Sequence, residues 1–94
     1  MDTPITFGTT DKQTLVEGTP NTFTPSKPYT AVTIHSDRNL YVRLDGEDAA
    51  DTDFYWLKDA YLTVRVEWGV PVSVLVADDQ DSGGVVRFTE TAVV

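Results

Sequence analysis

Cysteine is absent from the chain, which excludes a disulfide framework and any thiolate metal site, and fits assembly in a reducing cytosol. Basic residues are scarce: seven lysines and arginines stand against fifteen acids, a formal charge of -8. That balance repels phosphate backbones and anionic lipid, so nucleic acid and membrane are not expected as direct partners. Its two readings are solubility and complementarity to a basic surface on a partner protein. Long hydrophobic runs are also missing. The most apolar window, Val70 to Ala77, is too short to span a bilayer and contains Pro71 and Ser73. Met1 to Phe7 shows no basic segment followed by an apolar one, so a soluble, unsecreted product is expected.

His35 is the single histidine. No histidine pair stands at metal spacing and no Gly-x-Ser-x-Gly elbow occurs. Ser36 and Asp37 follow His35 directly, but a triad is made by groups that meet in space beside an oxyanion site, not by neighbours in sequence. The chain therefore reads as a non-enzyme with no cofactor, and His35 as a histidine on a strand surface.

Helical periodicity is lacking as well, and what replaces it is alternation. Residues 1–29 hold four of the five prolines and eight threonines, interleaved with single apolar residues such as Ile5, Phe7, Leu15 and Phe23. Proline and threonine in this density exclude helix and favour extended chain, with short strands over Ile5 to Phe7 and Gln13 to Val16. Two roles suit such a Thr/Pro-rich extended arm: edge strands of the same domain, or a reach onto a neighbouring subunit.

From Ala31 the pattern is regular. Val32 and Ile34 alternate with Thr33 and His35, Asp37-Arg38-Asn39 turns the chain, and Leu40, Val42 and Leu44 alternate with Tyr41 and Arg43, which reads as a hairpin. Asp45-Gly46 then opens an acidic loop, and Phe54 and Trp56 alternate with Tyr55 and Leu57, the first pair expected in the core. Tyr61 to Ala77 reads as two strands joined by a Gly/Pro turn. In the first, Leu62, Val64 and Val66 face the core; in the second, Val72, Val74 and Val76 do, with small or apolar residues between them, the mark of a more central strand. Val86 and Phe88 supply the last strand. Turn signals recur throughout, so the expected fold is all-β: one domain over residues 1–94, a small antiparallel β-sandwich or jelly-roll-like barrel over residues 30–94, with residues 1–29 as an extended N-terminal arm.

A weak calcium candidate lies in Asp79 to Glu90, where Asp79, Asp81 and Glu90 fall at the first, third and twelfth positions of an EF-hand spacing. Gly83 occupies the fifth position, and the flanks read as strands rather than helices. The loop residues Asp45, Glu47, Asp48, Asp51 and Asp53 form a second acidic cluster. Against both stands a solvated turn. Among the aromatics, either Tyr55 or Trp56 should face outward, and Trp68, in the Glu67-Trp68-Gly69 turn, is a second candidate for exposure; outward rings anchor protein contacts or stack on sugars.

The run Leu40-Tyr41-Val42-Arg43-Leu44-Asp45-Gly46, the Ala-Ala-Asp-Thr-Asp loop after it, the aromatic-Leu strand, the central pair and the closing Ser-Gly-Gly-Val-Val-Arg-Phe-Thr-Glu resemble small β-sandwich virion proteins of tailed bacteriophages. The resemblance covers about residues 31–90. It implies a capsid decoration, or cement, protein on the outer surface of the virion, assembled in the host cytoplasm. Its implied partners are the major capsid protein and copies of itself in a trimer. The resemblance carries over no binding residues; from the single apolar residues of the arm and the outward aromatics, contacts are expected at Ile5, Phe7, Phe23, Tyr55, Trp56 and Trp68. The alternatives are a head-tail, tail or fibre accessory protein, or a glycan-binding module using Tyr55, Trp56 or Trp68.

Overall fold

The computed structural model describes residues 5–26, 31–67, 69–77 and 84–93. They form eight strands: β1 (Ile5–Thr14), β2 (Asn21–Phe23), β3 (Ala31–Ser36), β4 (Leu40–Arg43), β5 (Phe54–Trp56), β6 (Leu62–Arg65), β7 (Val72–Val76) and β8 (Val85–Val93). Two four-stranded sheets result, ordered β1-β8-β3-β6 and β2-β7-β4-β5. All pairings are antiparallel. First strand pairs with last, second with seventh, third with sixth and fourth with fifth, and these pairs are dealt alternately to the two sheets. That is the connectivity of a long hairpin rolled up on itself, the eight-stranded jelly roll.

Alternation correctly marks which residues face inward. Val32, Ile34, Leu40, Val42, Val72, Val74, Val76, Val86 and Phe88 form one buried cluster, joined by Leu15 and Val66. It does not mark which strands are neighbours. Asp37-Arg38-Asn39 leads from β3 in the first sheet to β4 in the second, so the expected hairpin there is instead a crossing between sheets. The same holds for the expected Tyr61–Ala77 pair: β6 is an edge strand of the first sheet, and β7 lies inside the second. Burial on both faces of β7, Ser73 included, agrees with its reading as the more central strand.

Of the two roles open to the N-terminal segment, residues 5–14 take that of an edge strand. β1 is one strand rather than two short ones, paired along its length with β8. Its phase shifts between Phe7 and Thr10, where three steps on β1 match two on β8 from Thr91 to Thr89. This bulge leaves Phe7 outward before it and Thr10, Lys12 and Thr14 outward after it.

Gly46 has φ +92°, a left-handed turn position suited to the predicted Asp45-Gly46 turn. At Gly84 the reason for glycine is space: an added Cβ would stand 2.3 Å from Arg38 Cγ and 2.9 Å from Asp37 Oδ1.

The core's largest fully buried side chain is Phe88, whose ring stacks on Phe23 with centroids 5.4 Å apart. Phe88→Ala should cost about 3–5 kcal/mol, a large share of the roughly 5–15 kcal/mol typical of whole domains. Urea unfolding followed by tryptophan fluorescence measures it; a loss below about 1 kcal/mol would show that this ring is not central to the core.

Candidate functional site

The two long sides of the sandwich differ. On the β1–β2 side, side-chain amides bridge the sheets: Gln13 Nε2 donates to Thr22 O at 2.9 Å, and Asn21 Nδ2 donates to Gln13 Oε1 at 3.0 Å and to Thr14 O at 3.1 Å. On the β5–β6 side an apolar cleft of about 240 Å³ opens between the edges, lined by Val42, Leu44, Phe54, Leu62 and Val64.

Phe54, expected in the core, is 60% exposed at this cleft. Its backbone lies opposite buried Val42, so its side chain does face the other sheet. That sheet ends at β6, however, where Leu62 and Val64 are themselves half-buried. An inward position on a three-residue edge strand is thus not a covered one. Leu57, immediately after β5, is 62% exposed. Trp56 is half-buried, donates its indole N–H to Ala60 O at 3.0 Å and lies 6.1 Å from the Phe54 ring. Tyr55 points to the opposite face and packs on Tyr41 at 5.5 Å. Tyr55, rather than Trp56, is the outward member of the pair.

The remaining predicted contact residues do not share one patch. Phe7 projects from the outer face of β1, exposed. Phe23 packs inward on Phe88 and presents no free ring. Ile5 stands opposite Val93 in β1; its side chain, together with Trp68, Asp79 and Asp81, lies outside the described residues. His35 is on the outer face of β3, with its ring stacked on Tyr61 at 4.6 Å.

The acidic loop is organised around a cation of the chain's own. Arg43 Nε and Nη2 donate to the two carboxylate oxygens of Asp45 at 2.8 and 3.0 Å, and its Nη1 stands 3.8 Å from Asp53. Asp45 also accepts the Glu47 N–H, and Asp53 the Ala50 N–H. Ala49 N–H donates to buried Ser73 Oγ at 2.8 Å, tying the loop to β7. The Arg43 hydrogen bonds, then that from the Glu47 N–H, hold the Asp45 carboxyl down at about 2, while the hydrogen bond to Asp45 and its charge push the Arg43 guanidinium up.

Glu90 is equally committed. It sits inside β8, 7% exposed, and its carboxylate accepts the Ser26 N–H at 2.8 Å and the Ser26 hydroxyl. It clasps the chain just after buried Pro25. That partner had no signal in the sequence, since 64 residues separate the two. Among the described residues no three metal-binding side chains come together as a site. No family model, curated protein or solved structure matches the chain.

Glu90→Ala, which takes a charged acceptor from the part-buried bonds to the Ser26 N–H and hydroxyl, should lower stability by about 1–3 kcal/mol, with Glu90→Gln milder because one acceptor oxygen remains. Calcium should leave the wild-type unfolding midpoint unchanged; a rise would restore the loop as an ion site. For Asp45 the folded-state pKa lies below the unfolded value. Whatever stability it contributes is therefore present above the ordinary carboxylate range and lost as pH falls toward about 2. Carboxyl NMR should place its midpoint near 2 and show it moving up to the ordinary aspartate range in Arg43→Gln.

Proposed function

We propose that this chain is a non-enzymatic structural protein that works by protein–protein contact, and that its setting is the outer surface of a bacteriophage head. There it binds the major capsid protein, in trimers of its own, as a decoration protein. The observation that carries the reading is the open side of the sandwich. Two edge strands, β5 and β6, flank an apolar cleft beside exposed Phe54 and Leu57. Clustered exposed apolar surface of this kind suits a protein partner, and a free strand edge suits added main-chain hydrogen bonds.

Jelly-roll connectivity supports the reading by analogy, since capsid and lectin domains use it widely, although a fold alone assigns no function. The resemblance across residues 31–90 points the same way. Each contact is small, so the binding gains from a lattice: neighbouring copies raise one another's effective concentration, and the shell is held by many weak joints.

Quantitative mass spectrometry of purified particles tests this, with the chain expected near one copy per major capsid protein. Phe54→Ser combined with Leu57→Ser should leave the circular dichroism of the free protein unchanged while removing it from particles. A small fixed number per particle would move it to the portal, tail or fibre, and absence would overturn the proposal.

A further inference from the structure

The outer face of the β1-β8-β3-β6 sheet carries a charge opposite to that of the chain. Lys12 lies directly opposite Arg87, and Arg87 directly opposite His35, whose ring stacks on Tyr61. The next row across the same face is four threonines: Thr10 opposite Thr89, Thr89 opposite Thr33, Thr33 opposite Thr63. Beyond it come Phe7, Thr91, Ala31 and Arg65. Among the described residues no outward position of these four strands is a carboxylate. Asp37 and Glu67 lie beyond the strand ends, and Asp37 is turned to the Val85 N–H and to Arg38. Asp11, next to Lys12, is on the opposite face, held by Gln13.

The threonine row answers to the fold itself, since the Thr10 and Thr89 hydroxyls share a hydrogen bond at 2.9 Å and the Thr33 hydroxyl bonds to those of Thr63 and Thr91 at 2.9 and 2.8 Å, but nothing in the fold's energetics calls for the cations beside it. Like charges directly opposite across strands are unfavourable by a few tenths of a kcal/mol or more. Fifteen acids were there to pair with seven bases, yet Lys12, Arg65 and Arg87 form no ion pair with a described residue. The face also holds a trough of about 560 Å³, lined by Phe7, Thr10, Thr33, Tyr61, Thr63 and Thr89. Phe7 and Tyr61, 64% and 72% exposed, stand at its diagonal corners, roughly 20 Å apart at ordinary strand spacing and rise.

We propose that this face binds a linear acidic oligosaccharide, one whose sugar rings carry carboxylates. Exposed aromatic rings stack on the apolar faces of pyranoses, the exposed Thr10 and Thr63 hydroxyls, each bonded to one neighbouring threonine, exchange further hydrogen bonds with sugar hydroxyls, and Arg87 and Lys12 take the carboxylates. The layout separates this ligand from the other polyanions. A protein interface places its aromatics at the centre and its polar groups at the rim, whereas here hydroxyls occupy the centre and rings the corners. Nucleic acid sets a charge about every 3.4 Å along each strand, too dense for so few cations on a strongly acidic molecule. A chain with at most one carboxylate per sugar ring leaves fewer charges to neutralise and supplies hydroxyls of its own to the threonine row. The inference is independent of the capsid reading, because it uses the face of the other sheet and not the β5–β6 cleft.

The test is an amide NMR titration of the full chain at low ionic strength with tetragalacturonate and a hyaluronan hexasaccharide. Uncharged maltotetraose and polyglutamate serve as controls. Both uronate chains should shift the amides of Thr10, Thr33, Thr63 and Thr89, binding roughly tenfold tighter than maltotetraose. Arg87→Gln and Tyr61→Ala should each weaken them by about tenfold. Both side chains are exposed, and an unchanged amide spectrum away from the face confirms that each variant is folded. Neither uronate shifting these amides at millimolar concentration would overturn the proposal, as would binding indifferent to both variants. Polyglutamate binding as tightly as the uronates would assign the face to an acidic protein instead.

Discussion

Ile5 lies opposite Val93, and from there the first and last strands run alongside each other to Thr14 and Val85. The rest of the structure depends on this pairing, because β8 is also the strand on which β3 is laid, and β3 in turn carries β6. One sheet is therefore complete only when β1 has met β8. The second sheet has no such nucleus of its own: β2 and β5 are three-residue edges, and its inner strands bury their valines in one cluster with Val32, Ile34, Val86 and Phe88 of the first. Nearly every stabilising contact is thus between segments distant in sequence, a topology that pays loop-closure entropy before any contact rewards it.

This dependence explains what could and could not be read from the amino acids. Period-two alternation belongs to each segment by itself, so the inward faces of β3, β4, β6, β7 and β8 are visible without the fold. Neighbour relations are not local. The turns at Asp37-Arg38-Asn39 and after Val66 look like hairpin turns, yet each carries the chain between layers, and no residue in either turn encodes the difference. Phe54 shows the same gap from the other side: its phase correctly turns it inward, but whether something lies across from it is a property of β6. The Ser26 clasp on Glu90, the Arg43 grip on Asp45 and Asp53, and the shift of phase at Gly8 and Thr9 complete the set. Of these, the Arg43–Asp45 pair alone is close in sequence, and only there could spacing have suggested it.

Charge is distributed by the same logic. Along the chain, acids outnumber bases in the loops and the sequence reads as uniformly acidic. Across the strands, residues as far apart as Lys12, His35, Arg65 and Arg87 come onto one face, while Glu47, Asp48 and Asp51 stay in the exposed loop between β4 and β5. A net charge near -8 therefore describes no particular surface of the molecule, and an approaching partner meets a different sign according to its direction.

The meeting of Ile5 and Val93 also has a mechanical side. In an antiparallel pair, a pull applied between two partners at one end of the ladder loads the hydrogen bonds one after another, as in opening a zip. A pull along the strands from opposite ends would load them all at once. Tension applied at Ile5 and Val93 would peel β1 from β8 bond by bond, loosening the strand on which the first sheet is assembled.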